Sequence, residues 1–141
     1  MPTRKASAVW TGGLKGGAGT FKGETGLGGS YNFGSRFESA AGSNPEELLA
    51  AAEAACYSMA LSGNLEKNGT PPTKIETSAA CTVEKVNDKM TVTRMALSVR
   101  ASVPNVDKAT FERIVQETRE GCPVSRALIQ AVDIQVQAEL V

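Results

Sequence analysis

The stretch NPEELLAAAEAACYSMAL, residues 44–61, predicts a long helix with a cysteine in its middle. Asn44 can act as the N-cap, Pro45 suits the first helical position, and Glu47 completes a capping box three residues after the cap. We expect the helix to run to about Lys67, where an asparagine, a glycine and two prolines follow. One apolar stripe is predicted at helical spacing, and it contains Leu49, Ala52, Cys56 and Met59.

The segments on either side of this helix have strand patterns and further helix patterns. Before it, glycine-rich residues 11–34 indicate an N-terminal β-meander, with AVW, GTFK and SRFES as strand candidates. After it, TSAACTVEKV and TVTRMALSVRASV alternate apolar and polar residues, which is typical of a half-buried antiparallel sheet. A second helix is expected to begin at Asp107 and end at Gly121, a short third helix begins at Cys122–Pro123, and AVDIQVQAELV is a final strand. The predicted buried stripe of the second helix is Phe111, Ile114, Val115 and Thr118.

This order of elements predicts an α+β fold, and the absence of a repeat or linker favours one domain over residues 1–141. The chain carries 15 Lys plus Arg and 15 Asp plus Glu, so it has no basic field for nucleic acid. The N-terminus lacks the apolar run of a signal peptide, and no segment is apolar for long enough to span a membrane. We therefore expect a cytoplasmic protein with neither nucleic acid nor a membrane as partner.

The residue counts also limit the chemistry. The chain has no histidine, which excludes Cys–His and Ser–His nucleophile pairs and histidine metal sites. Three cysteines without a C-x-x-C pair make a poor zinc site. In a reducing compartment cysteines are expected to be buried fillers, metal ligands or redox groups. Because the zinc site would be poor, we expect no cofactor and no metal.

The three cysteines differ in what their positions predict. Cys81 lies on the apolar face of a strand and is expected to be a small buried hydrophobe. Cys122 precedes a proline at a helix start, where free N–H groups and the helix dipole favour a thiolate. Its position alone leaves a chemical role and a role as a tolerated N-cap equally open. Cys56 is by position more typical of a core residue, and a reactive Cys56 would need an arginine or lysine beside it.

A carboxylate that orients such a cation can be sought on the same helix. Glu46 lies ten residues before Cys56, which is about 80° around the helix axis. Glu53 lies three residues before Cys56, whereas Glu47 faces the opposite side. Helix geometry therefore favours Glu46 or Glu53, and a solvated surface charge is the ordinary alternative for each.

Two segments, RFESAAGSNPEELLAAAEAACYSMALS and GCPVSRAL, together resemble the OsmC/Ohr family of thiol peroxidases, with more similarity to its osmotically inducible OsmC branch. The likeness extends over nearly the whole chain. It implies an intertwined homodimer of the OsmC-like fold, with antiparallel sheets, long central helices packed together, and sites built by both subunits. It assigns Cys56 as the peroxidatic cysteine, Cys122 as the resolving cysteine, Arg36 as the cation and Glu46 as the carboxylate that orients it.

The activity implied by the resemblance is reduction of organic hydroperoxides, and more weakly of hydrogen peroxide. It would proceed through a Cys56 sulfenic acid and a Cys56–Cys122 disulfide, which an external dithiol such as a dihydrolipoyl group reduces. A pocket lined by Leu, Ala, Met and Phe would favour organic peroxides. The alternatives are a non-enzymatic ligand-binding dimer of the same fold, a structural stress protein acting as a holdase or assembly factor, and a disulfide oxidoreductase. The absence of C-x-x-C argues against the last.

Overall fold

A computed structural model describes all 141 residues, which form two compact units, residues 1–48 and 49–141. The prediction of one domain over the whole chain stays a prediction. Ten elements follow one another: β1 (Ala6–Thr11), β2 (Ala18–Gly23), β3 (Gly28–Asn32), α1 (Phe33–Phe37), α2 (Pro45–Lys67), β4 (Lys74–Val86), β5 (Lys89–Ser102), α3 (Lys108–Gly121), α4 (Pro123–Leu128) and β6 (Asp133–Leu140). None of the helices combines the length and the apolar character that crossing a membrane requires.

The first unit contains the predicted antiparallel meander, in which β1 pairs with β2 and β2 with β3. The prediction that SRFES forms a strand is wrong, because Gly28–Asn32 supplies the third strand and most of SRFES belongs to α1. The cause is local. The Ser35 N–H donates to Asn32 Oδ1 while the Asn32 N–H donates to Ser35 Oγ, and this capping box starts a helix.

Helix α2 begins and ends where the sequence predicts. The Glu47 N–H donates to Asn44 Oδ1 at 2.8 Å, and Pro45 is the first helical residue. The Glu47 carboxylate accepts a hydrogen bond from the Ser43 hydroxyl at 2.6 Å. The N-cap is therefore confirmed, and the carboxylate of the capping box bonds one residue upstream of the cap.

The buried face of α2 in the second unit differs from the predicted stripe, because Met59 is 77% exposed and Ala52 is also exposed. The fully buried side chains recur every four residues, and they are Glu53, Tyr57, Leu61 and Leu65. The Tyr57 hydroxyl donates to the Val115 carbonyl of α3 at 2.9 Å. The large side chains determine which face of α2 is buried, because burying them removes more apolar area from water than burying alanines does. Cys56 is half-buried at the border of this face.

The sheet of the second unit has the order β4-β5-β6. The β4–β5 hairpin is antiparallel, and Asn87 and Asp88 at its turn have φ of 49° and 62°, as a type I′ turn requires. β6 pairs with β5 in parallel, so the prediction of purely antiparallel sheets is wrong at this edge. The helices α3 and α4 connect β5 to β6, and a crossover of that length returns the chain in the same direction. Cys81 packs against the core from β4, as predicted, but it is half-buried and not fully buried.

Helix α3 confirms its prediction in detail. Asp107 is the N-cap and accepts the Thr110 N–H at 2.8 Å, and Gly121 is the last helical residue. The buried residues are the four predicted ones, Phe111, Ile114, Val115 and Thr118. They pack into one core with buried side chains of α2, β5 and β6. Because α3 is fixed in this way, its end places Cys122 and the start of α4.

Candidate active site

Arg36 and Glu46, the two charged residues assigned by resemblance, form an ion pair within the first unit. Arg36 Nη2 lies 2.8 Å from Glu46 Oε1, and Arg36 Nε lies 3.2 Å from Glu46 Oε2. The Glu46 side chain is 9% exposed and that of Arg36 is 37% exposed. A two-point contact of this kind fixes the plane of a guanidinium. The cation is thus oriented by a nearly buried carboxylate while part of it stays open to a ligand.

An apolar pocket of about 230 Å³ lies beside Arg36 in the same unit. Its apolar wall consists of Trp10, Leu14, Tyr31, Phe33 and Phe37. The Trp10 and Tyr31 ring centroids are 5.4 Å apart, and Arg36 Cζ lies 5.0 Å from the Phe37 centroid. Apolar walls around one cation suit a ligand with an apolar body and a polar end. The pocket expected from the sequence is lined by Leu, Ala, Met and Phe. The tryptophan and tyrosine that the meander strands supply were not predicted.

Cys56 and Cys122 come together in the second unit. The Cys56 thiol interacts with the thiol of Cys122 and with the backbone N–H of Val124. Both are free thiols, and Cys122 is fully buried. Cys122 occupies the N-cap position of α4, yet its side chain makes no capping hydrogen bond. The missing bond disfavours a role of Cys122 as an N-cap, and the chemical role is the other one that its position left open.

The surroundings of Cys56 within the second unit favour the neutral thiol. Burial raises the pKa of the Cys56 thiol above its ordinary value of 9.0, and the contact with Cys122 raises it further. The Val124 N–H lowers the Cys56 pKa because it stabilises a thiolate, and the negative charge of Glu53 acts in the opposite direction. A cation must therefore be supplied if Cys56 is to react as a thiolate near neutral pH.

Glu53, the second carboxylate that helix geometry favoured, is fully buried and bonds to no arginine. Its Oε1 accepts a hydrogen bond from the hydroxyl of Ser125, which is also fully buried. Its Oε2 has no hydrogen-bond partner. Ser125 was not singled out from the sequence. The available indication was spacing, because Ser125 follows Cys122 by three residues just as Glu53 precedes Cys56 by three.

The sequence is similar to known proteins over most of its length. The family described as OsmC-like protein matches residues 38–137. The chain belongs to the OsmC family. Peroxiredoxin OsmC of Escherichia coli is 42% identical over 136 residues, which is 95% of each chain. The resemblance predicted from the sequence is thereby confirmed.

Other relatives of this OsmC-family chain extend the comparison. Organic hydroperoxide resistance protein-like 2 of Staphylococcus saprophyticus is 29% identical over 100 residues, 70% of this chain and 68% of that one. The solved structure of the organic hydroperoxide resistance protein OhrB of Bacillus subtilis superposes with a TM-score of 0.75 at 22% identity, over 96% of this chain and 98% of that one. An OsmC-like protein of unknown function from Vibrio cholerae has a TM-score of 0.75 at 14% identity, over 99% and 100%. These structures confirm the mixed α+β fold.

The family match contains three of the four assigned site residues. Glu46, Cys56 and Cys122 lie within residues 38–137, and Arg36 lies two residues before that range. Arg36 and Glu46 belong to the first unit, and the two thiols belong to the second. Within each unit the structure brings together the pair that the resemblance assigned.

Proposed function

We propose that this OsmC-family protein is a thiol-dependent peroxidase that reduces organic hydroperoxides, with Cys56 as the peroxidatic and Cys122 as the resolving cysteine. The observation that carries the proposal is the contact between these two free thiols. Names of relatives support it, since one is a peroxiredoxin and another an organic hydroperoxide resistance protein. A peroxidase that works through a disulfide needs two cysteines within bonding reach.

In the first step the Cys56 thiolate attacks the distal oxygen of the hydroperoxide. The O–O bond breaks, Cys56 becomes a sulfenic acid, and the alcohol leaves after taking a proton. Arg36 is assigned, on the family resemblance, as the cation that favours the thiolate and the charge developing on the leaving oxygen. The two-point contact with Glu46 supports this role because a pre-oriented guanidinium needs no rearrangement during the reaction.

In the second step Cys122 condenses with the sulfenic acid and water leaves. The Cys56–Cys122 disulfide is then reduced by an external dithiol, for which the family resemblance indicates a dihydrolipoyl group. Thiol–disulfide exchange with that donor returns both cysteines to the reduced state. The cycle requires neither a metal nor an organic cofactor.

The aromatic pocket beside Arg36 supports an organic substrate over hydrogen peroxide, since it offers apolar area to a substituent. We expect kcat/KM for cumene hydroperoxide to exceed that for hydrogen peroxide by at least tenfold. The measurement is peroxide consumption with an excess of dithiol. Equal values for the two peroxides would remove the substrate preference from the proposal and leave the thiol chemistry.

The thiol chemistry itself is tested by intact mass after adding one equivalent of cumene hydroperoxide to the reduced protein. We expect the wild type to lose about two hydrogen atoms and Cys122→Ser to gain about one oxygen atom at Cys56. Cys81→Ser, which alters a thiol on β4 that is half-buried like that of Cys56, is expected to behave like the wild type. If neither mass changes within seconds, the ligand-binding alternative replaces the peroxidase.

We further infer that the active form is a homodimer. The support is the outer face of α2 in the second unit, where Met59 and a run of alanines are exposed in the single chain. Small side chains let a second backbone approach closely, and a methionine adapts to such a contact. The oligomeric state is tested by sedimentation equilibrium.

A further inference from the structure

Two side-chain contacts join α2 to the segment that carries α4, and they are one helical turn apart. Cys56 contacts Cys122, while Glu53, three residues before Cys56, accepts a hydrogen bond from Ser125, three residues after Cys122. Residues three apart lie side by side on a helix. The Glu53 carboxyl therefore lies on the same side of α2 as Cys56, and its negative charge acts on the Cys56 thiol.

The contact between Glu53 and Ser125 is fully buried, and one oxygen of the carboxyl has no hydrogen-bond partner. Glu53, Ser125 and Cys122 are all fully buried. Ser125 occupies Oε1 of Glu53, and Oε2 has no partner. A buried carboxyl oxygen without a hydrogen bond costs free energy, and such groups in native proteins call for an explanation in strain or in chemistry.

Formation of the Cys56–Cys122 disulfide needs a group that accepts the proton of Cys122. Cys122 must lose its proton as it attacks the Cys56 sulfur, and the departing hydroxide must gain one. Water has no access to Cys122, and the chain contains no histidine. Tyr57 is unsuited because its hydroxyl already donates to Val115 O and burial raises its pKa. Glu53 is the remaining titratable side chain among the buried residues around the thiols.

We propose that Glu53 is the proton-transfer residue of disulfide formation, an inference that rests on the peroxidase function proposed above. The Cys122 sulfur bonds to the Cys56 sulfur, the S–O bond of the sulfenic acid breaks, and Glu53 Oε2 takes the Cys122 proton. Glu53 then gives that proton to the departing hydroxide, which leaves as water. Cys122 is oxidised and the sulfenic sulfur is reduced, so no further reactant is needed. Ser125 positions the carboxyl by holding its other oxygen.

The same carboxylate has the opposite effect on the first step. Its negative charge is among the causes that raise the Cys56 pKa, so its removal favours the Cys56 thiolate. Glu53→Gln is therefore expected to form the sulfenic acid as fast as the wild type or faster, and to form the disulfide more slowly. A residue that only supports the fold would slow both steps together or neither.

The test is a single turnover of the reduced protein with one equivalent of cumene hydroperoxide, quenched at intervals and read by intact mass. Glutamine keeps the shape of Glu53 and an oxygen that accepts from Ser125, but it takes up no proton. We expect disulfide formation in Glu53→Gln to slow by about 10²-fold, within the range usual for general acid–base catalysis. Ser125→Ala keeps the carboxyl, and its rate of disulfide formation is expected to fall by less. The matched control Glu47→Gln alters an exposed carboxylate of the same helix and is expected to match the wild type.

Three results would overturn the inference. If Glu53→Gln forms the disulfide at the wild-type rate, Glu53 transfers no proton, while the peroxidase function stands. If both steps slow equally, the role of Glu53 is structural. If the wild type forms no disulfide and Cys122→Ser forms no sulfenic acid, the peroxidase function fails and the inference fails with it. Should Glu53→Gln fold poorly, Glu53→Ala with added formate replaces it, and recovery of the disulfide rate with formate is the expected result.

Discussion

Glu46 and Glu47 are adjacent residues of one type in different surroundings, and they form a matched pair for testing Arg36. Glu46 is buried and holds the guanidinium, whereas Glu47 is exposed and bonds to Ser43. We expect Glu46→Gln to slow formation of the Cys56 sulfenic acid by about 10²-fold, because a neutral amide cannot hold a guanidinium by two charge-assisted bonds. The rate is measured by quenched mass spectrometry in a Cys122→Ser background.

The neighbouring variant supplies the control for that experiment. Glu47→Gln changes the same charge one residue away and is expected to leave the rate within about twofold of the wild type, since effects of exposed surface charges are small. Equal losses in the two variants would mean that net charge at the start of α2 matters and that the pairing with Arg36 does not.

Tyr57 should make the stability of the protein decrease at high pH. Burial raises the Tyr57 pKa above its ordinary value of 10.0, so the folded state holds this proton more tightly than the unfolded state. The contribution of this proton to the free energy of unfolding is complete below pH 10. Above pH 10 it is lost at about 1.4 kcal/mol per pH unit. Tyr57→Phe should remove this part of the slope, measured by urea unfolding between pH 9 and about 11. An unchanged slope in the variant would contradict the assignment.

The bounds of helices were predictable from the sequence where side chains within a few residues determine them. The α3 cap at Asp107 and the end at Gly121 depend on side chains within a few residues, and both were predicted correctly. The SRFES prediction failed because an Asn32–Ser35 capping box outweighs strand propensity there. The direction of β6 depends on where a crossover returns the chain, which no local pattern encodes.

The candidate site likewise contains pairs that were predicted from the sequence and one bond that was not. Family resemblance assigned Arg36 with Glu46 and Cys56 with Cys122, and the structure brings the members of each pair into contact. The bond between Glu53 and Ser125 depends on the packing of two helices far apart in the sequence. Alanine-rich helices present several similar apolar faces, so the face of α2 that is buried was not predictable from spacing alone.

The N-cap of α2 should contribute measurably to the stability of the protein. Asn44 Oδ1 accepts the Glu47 N–H, one of the orphan donors of the first turn. We expect Asn44→Ala to lower the free energy of unfolding by about 1 kcal/mol, and Asn44→Ser to restore most of it because serine also caps. Urea unfolding at pH 7 provides the measurement. An Asn44→Ser protein as unstable as Asn44→Ala would show that the cap is not the source of the loss.

For the whole molecule, the outer face of α2 predicts the state of assembly. Met59 is 77% exposed in the single chain, and burying a methionine contributes about 1.5–3 kcal/mol, counted twice in a two-fold dimer. We expect sedimentation equilibrium to give twice the chain mass of 14.7 kDa. Met59→Glu should raise the dimer Kd by about 10²-fold or more, because it places two like charges in a desolvated contact. Met90→Glu changes a methionine that is 51% exposed at the β4–β5 hairpin and serves as the matched control, expected to remain dimeric. A wild type that sediments as a monomer would contradict the homodimer, and dissociation of both variants would show that added charge, and not the α2 face, controls assembly.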